Sequence, residues 1–143
     1  MAAVSDGVYQ ISFPGRQLLT LQDGSPESGT PIILLEPVDQ SGTQDWEVQS
    51  AEAGTYTIRN LASKTYLGFD GRPVVNGTTG GFPDPQLWQL TPGAVPGTFT
   101  INVPGSDVCL GQAMLRIHPP RTALSPSLGD VSPAWIFEGV GQP

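Results

Sequence analysis

Gln44-Asp45-Trp46-Glu47-Val48 decides the reading of this chain, because it comes back twice. Gln86-Leu87-Trp88-Gln89-Leu90 echoes it, and Pro133-Ala134-Trp135-Ile136-Phe137 echoes both around its tryptophan. These are all 3 tryptophans of the protein, spaced 42 and 47 residues apart. A second marker keeps the same beat. Gly7-Val8-Tyr9-Gln10-Ile11 returns as Gly54-Thr55-Tyr56-Thr57-Ile58 and as Gly97-Thr98-Phe99-Thr100-Ile101. A leucine then follows in each unit, at Leu19, Leu67 and Leu110. A period this long means that each unit is one supersecondary piece unable to bury its apolar face alone.

Working outward, each unit opens with alternation. Val8, Gln10 and Ser12 interleave with Tyr9, Ile11 and Phe13, and Thr55, Thr57 and Arg59 with Tyr56 and Ile58. Period two with β-branched and aromatic residues reads as a half-buried strand. Turns follow at Pro14-Gly15-Arg16, Ala62-Ser63-Lys64 and Pro104-Gly105-Ser106, and the leucine strand comes next (Leu18 to Leu21, Tyr66 to Phe69, Val108 to Leu110). The turn dipeptides Asp23-Gly24 and Asp70-Gly71 lead to an apolar third strand, clearest in Ile32-Ile33-Leu34-Leu35, and the tryptophan strand closes the unit. No segment carries a helical stripe, and 15 prolines with 18 glycines argue against long helices. Four strands in each of three units, closing on one core, predict an all-β fold: a β-trefoil of three pseudo-symmetric four-stranded repeats. The repeats are read at about 6–50, 53–92 and 96–139 of a single domain spanning 1–143. The three tryptophans with Tyr9, Tyr56 and Phe99 are expected in the core.

Composition narrows the function. The net charge is −7 with 6 Lys and Arg, which argues against nucleic acid and anionic membranes, since both need clustered positive charge. Charged residues make up 13%, so the polar surface rests on Ser, Thr, Gln, Asn and backbone groups. No run is long enough to insert in a membrane. The start Met1-Ala2-Ala3-Val4-Ser5-Asp6 lacks the basic and apolar regions of a signal peptide, so a cytoplasmic protein, or one released without a signal, is expected. Cys109 stands alone and is expected as a buried small hydrophobe. With one His and one Cys a structural zinc site is out of reach, and no metal or cofactor is expected. A Ser-His-Asp arrangement could form only around His118, with no nucleophile elbow beside it. Glu36, Asp39 and Asp45 read as solvated loop carboxylates. A non-catalytic protein is therefore expected.

The Gln-x-Trp element, the threefold repeat and Leu19-Thr20-Leu21 followed by Asp23-Gly24 resemble the ricin-B-type β-trefoil lectins, over about residues 6 to 139. The small members from mushrooms are the most similar. The resemblance implies sugar binding, with one shallow site per unit between the second-strand turn and the loop before Gln-x-Trp. The family's sugar-binding aspartate falls here on Thr20, Gly68 and Gly111. Its stacking aromatic falls near Leu35, and the Asn preceding Gln is Thr43. The ordinary galactose pocket is thus unsupported, and the reading is a lectin for glycans or glycoproteins with atypical sites.

Two further readings rest on one segment, His118-Pro119-Pro120-Arg121-Thr122-Ala123-Leu124. Arg116, His118 and Arg121 lie within six residues. Converging, they would form a positive spot suited to a sulfated or acidic glycan, held bidentately by arginine. The chain also resembles mushroom β-trefoil protease inhibitors. As an exposed loop stiffened by prolines, the same segment would place Arg121 in the acidic pocket of a trypsin-like serine protease. The plain alternative is a solvated arginine, which would leave the loops around Asp23 and Asp39 as the site. Single shallow sites bind weakly, so avidity calls for several sites or a homo-oligomer.

Overall fold

A computed structural model describes residues 4–13, 17–37, 42–69, 71, 74, 77, 79–93, 95–112, 121–126 and 134–139. Twelve strands carry the fold. The first unit contains β1 (Gly7–Phe13), β2 (Gln17–Leu21), β3 (Thr30–Leu35) and β4 (Trp46–Ser50). The second contains β5 (Thr55–Asn60), β6 (Tyr66–Phe69), β7 (Thr79–Phe82) and β8 (Trp88–Pro92). The third contains β9 (Thr98–Asn102), β10 (Val108–Gln112), β11 (Thr122–Pro126) and β12 (Trp135–Gly139). Between them stand short 3-10 turns at Gln22–Gly24 and Glu52–Gly54.

Six strands close a ring. β1 pairs with β4, β4 with β5, β5 with β8, β8 with β9, β9 with β12, and β12 returns to β1, all antiparallel. Closure removes the exposed sheet edges that would otherwise invite aggregation. The other six form three hairpins, β2–β3, β6–β7 and β10–β11, each hooked onto the ring through its first strand. This is the β-trefoil that the repeat predicts.

The sequence markers are the contacts that hold each unit together. Trp46 lies opposite Tyr9, Trp88 opposite Tyr56, and Trp135 opposite Phe99. Each indole N–H donates to the carbonyl of the marker leucine: Leu19 at 3.0 Å, Leu67 at 2.9 Å, Leu110 at 3.0 Å. All three tryptophans are fully buried, as are the three leucines. A tryptophan recurs because one residue then fills the barrel and satisfies a carbonyl of its own hairpin.

The remaining aromatic markers divide. Tyr56 is buried, and its hydroxyl accepts the Val4 N–H at 3.1 Å. Tyr9 and Phe99 are only partly buried, and both meet Phe137 edge to face at 5.9 and 5.8 Å. The Tyr9 hydroxyl donates to the exposed Ser5 carbonyl at 2.7 Å, which keeps its polar end near solvent.

One stretch corrects the sequence reading. Thr122, Ala123 and Leu124, expected within an exposed loop, are buried in β11. They pair with Gln112, Gly111 and Leu110 of β10, and this registration draws Leu124 into the core.

Candidate functional site

At the positions to which the sequence resemblance assigns the family's sugar-binding aspartate, the side chains are buried or absent. Thr20 is 2% exposed. Its hydroxyl donates to Leu18 O at 3.0 Å and accepts from Gln44 Nε2 at 3.1 Å. Gln44 also donates to the Glu36 carbonyl at 3.0 Å, so the glutamine of Gln-x-Trp fastens the preceding loop to the hairpin. In the second unit Gly68 is buried, and a Cβ there would stand 3.2 Å from the Phe82 ring and 3.4 Å from Gln86 Oε1. The third equivalent, Gly111, is buried too.

A different site forms where the three hairpins meet. Leu34, Gly81 and Leu124 each face a marker leucine, so two residues earlier Ile32, Thr79 and Thr122 are equivalent. They converge: the Thr79 and Thr122 hydroxyls hydrogen-bond each other, and Thr122 Oγ1 donates to Ile32 O at 3.4 Å. A cavity of about 400 Å³ opens beside this junction. Its size falls within the roughly 300–1,000 Å³ of small-ligand sites. Every unit contributes to the wall. The first gives Ser28, Gly29 and Pro31, the second Thr79 and Phe82, the third Arg121 and Thr122.

Local pairing positions these side chains. Arg121 is exposed, but its backbone bridges to Ile33 at the entry to β11. Thr30 and Pro31 pair with Gly81 and Gly80, and Gly29 N donates to Gly81 O at 2.8 Å. The glycine pair permits this approach, since a Cβ on Gly80 would lie 2.6 Å from the Thr30 carbonyl oxygen. The loop from Gln22 to Thr30 is braced as well. Glu27 N donates to Ser25 Oγ at 3.2 Å, and Thr30 Oγ1 donates to Glu27 O at 2.7 Å. A second, shallower cavity of about 320 Å³ runs along this loop. Asp23 and Glu27 line it, and it shares Ser28, Gly29 and Pro31 with the first.

Of the residues singled out from sequence, Arg121 and Asp23 therefore line two adjoining cavities that share Ser28, Gly29 and Pro31, while Thr20 lies beneath the surface. Arg116, His118 and Asp39 fall outside the described residues. Sequence reasoning missed Phe82, Ser28 and Glu27. A signal for Phe82 existed: Phe82 faces Tyr66 as Leu35 faces Leu18, which puts an aromatic at the second unit's stacking position. Ser28 and Glu27 carry no such signal, because only the pairing of β3 with β7 brings their loop to the cavity.

Among the described residues no group of His, Cys, Asp and Glu could hold a metal, and no helix is long and apolar enough to cross a membrane. Cys109 is fully buried on β10, with Sγ 3.8 Å from the Pro126 carbonyl oxygen. Burial pushes its thiol from 9.0 up to about 11. Since the thiolate is the reactive form, a thiol reagent at pH 8 should label the native protein slowly and the denatured protein fast. A proton retained by the folded state stabilises it below pH 9, and that contribution is lost as pH rises from 9 toward about 11. Rapid native labelling would show instead that β10 opens.

Comparison with known proteins follows the geometry. A model of the family described as "Ricin-type beta-trefoil lectin domain-like" matches residues 42–115. A search of curated proteins finds no match. Solved structures match over nearly the whole chain. The Macrolepiota procera ricin B-like lectin, in complex with lactose, is 21% identical with a TM-score of 0.79, over 97% of this chain and 99% of that one. The Rhizoctonia solani agglutinin is 16% identical with a TM-score of 0.81, over 97% and 99%. The designed 3-fold symmetric protein ThreeFoil is 15% identical with a TM-score of 0.82, over 94% and 100%. Their likeness is one of fold, and the family match spans more than half of the chain. A fold built on the repeated tryptophan strand, with a family match from the end of its first unit through its middle unit into its third, places the protein: it belongs to the ricin-type β-trefoil lectin domain-like family.

Proposed function

We propose that this protein is a non-catalytic carbohydrate-binding protein that takes anionic glycans at the hairpin-junction cavity. The observation carrying this reading is Arg121 on the wall of that cavity, which Phe82 and the hydrogen-bonded Thr79 and Thr122 also line. Arginine presents a planar fork of donors to a carboxylate or sulfate. An aromatic ring gives a sugar an apolar surface, and loops already braced by hydrogen bonds lose little freedom on binding. Membership of a lectin family supports sugar as the ligand class, although fold by itself does not assign function. The burial of Thr20 supports weak or no binding of plain galactose at the first unit's family position, and millimolar or better affinity there would count against the reading.

The backbone bridge from Arg121 to Ile33 favours a sugar ligand over a protease anchor, because an anchor must stand clear of its own sheet. Calorimetry with sulfated and unsulfated forms of one oligosaccharide tests the proposal. The sulfated form should bind more tightly, and Arg121→Ala should weaken it by about 1.5–3 kcal/mol, the loss of a charge-assisted hydrogen bond. Added salt should weaken it as well. Equal binding of both forms, untouched by Arg121→Ala, would sink the anionic preference. Trypsin inhibition abolished by the same substitution would establish the inhibitor in its place.

A further inference from the structure

The cleft consists of two adjoining cavities that share Ser28, Gly29 and Pro31, and their remaining walls differ in charge. Arg121 lines the first. Asp23 and Glu27 line the second. Among the described residues no carboxylate is paired with Arg121, and the ion pair found there is Arg59 with Glu47, elsewhere on the sheet. The acidic wall is equally uncommitted. The bonds that fix Glu27 use its backbone N–H and carbonyl, which leaves its carboxylate outside them. Asp23 is exposed and held at a φ of 56°, a conformation that aspartate tolerates.

Resting on the reading of the protein as a binder of anionic glycans, we propose that the cleft selects a glycan with a single anionic group at one end. The acidic sugar sits on Arg121 and Phe82. The next, neutral sugar crosses Ser28 and Gly29, so that its hydroxyls donate to Asp23 and Glu27. Each part of the cleft then meets its chemical complement. The guanidinium takes a carboxylate or one sulfate. The carboxylates are acceptors, suited to the paired hydroxyls of a neutral ring. A second negative group on the neighbouring sugar would face Asp23 and Glu27 in a protein of net charge −7, and like charges brought together select against that partner. Polysulfated chains, charged on successive sugars, are therefore excluded by the same cleft that accepts one charge. Adjoining cavities of about 400 and 320 Å³ with three shared wall residues suit a ligand larger than one sugar.

The test uses the full chain and three probes: lactose, lactose bearing one terminal sialic acid, and a heparin oligosaccharide. The sialylated probe should bind at least about tenfold more tightly than lactose, a step of one charge-assisted contact. Heparin should bind no better than lactose. Arg121→Gln should bring the sialylated probe down to the lactose level. The double variant Asp23→Asn/Glu27→Gln should raise heparin binding by about tenfold or more as the repulsion is removed. Asparagine is chosen at 23 because it keeps the positive φ, and thermal melts establish that both variants fold. Heparin binding the unaltered protein as tightly as the sialylated probe overturns the single-charge selection while leaving a carbohydrate-binding protein. Equal affinity for lactose and its sialylated form overturns the role of Arg121. Failure of all three probes overturns both the selection and the carbohydrate reading beneath it.

Discussion

Trp88→Ala should lower stability by about 3–5 kcal/mol, the cost of emptying a large core position. That is a sizeable share of the roughly 5–15 kcal/mol that holds a domain folded. Trp88 is fully buried and packs edge to face on Phe69 at 5.9 Å. Its N–H satisfies the Leu67 carbonyl at 2.9 Å, so truncation leaves both a cavity and an orphaned acceptor. Trp88→Phe separates the two effects. It keeps an aromatic ring and removes the donor, so the orphaned carbonyl contributes about 1–3 kcal/mol of its cost. Denaturant titration reads both, and the slope should stay constant if only the native state changes. A cost below about 1 kcal/mol for the alanine variant, far under the range for a core aromatic, would contradict the role given to the repeated tryptophan.

Gly80→Ala should be the next most damaging, by about 1–3 kcal/mol, since it forces an atom into a packed interior. Its Cβ would lie 2.6 Å from Thr30 O and 3.2 Å from Gly29 C and O. Backbone cannot swing aside as a long side chain does, so β3 and β7 must part. Because Thr79 adjoins Gly80, the threonine contact with Thr122 should loosen, and glycan binding at the cavity should fall together with stability. Gly97 gives the contrast. Its φ is +87°, yet nothing lies within 4 Å of a Cβ built there. Gly97→Ala should cost about 1 kcal/mol through backbone strain alone and leave binding intact. Equal loss of binding in both variants would show that the cavity does not depend on the approach of β7 to β3.

The difference between these glycines shows where sequence reasoning stops. Gly97 is visible as a turn residue before an alternating strand. Thr79-Gly80-Gly81-Phe82 has nothing of a strand in its composition, and its glycines lower strand preference. It is a strand because β6 pairs along one side and β3 approaches closely on the other. The same holds for Thr122 and Leu124. Beside Pro119, Pro120 and Arg121 they look like the end of a loop, and pairing with β10 makes them core.

The sequence by itself determined the architecture. Tryptophan, aromatic and leucine recur in fixed order, and those three residues make the contacts that close each unit, so the period and the fold have one physical cause. At Thr20, Gly68 and Gly111, the positions to which the family resemblance assigns the sugar-binding aspartate, it carries no carboxylate, and a missing side-chain type is visible without coordinates. The tertiary structure alone decided where the candidate cleft lies. Ser28, Phe82 and Arg121 are separated by 54 and 39 positions in the chain. No local spacing relates them, and they share one wall because three hairpins from different units converge around Ile32, Thr79 and Thr122. A repeat written in each unit can specify the unit and its closure, whereas a site made of one piece from each unit exists only once the three have come together.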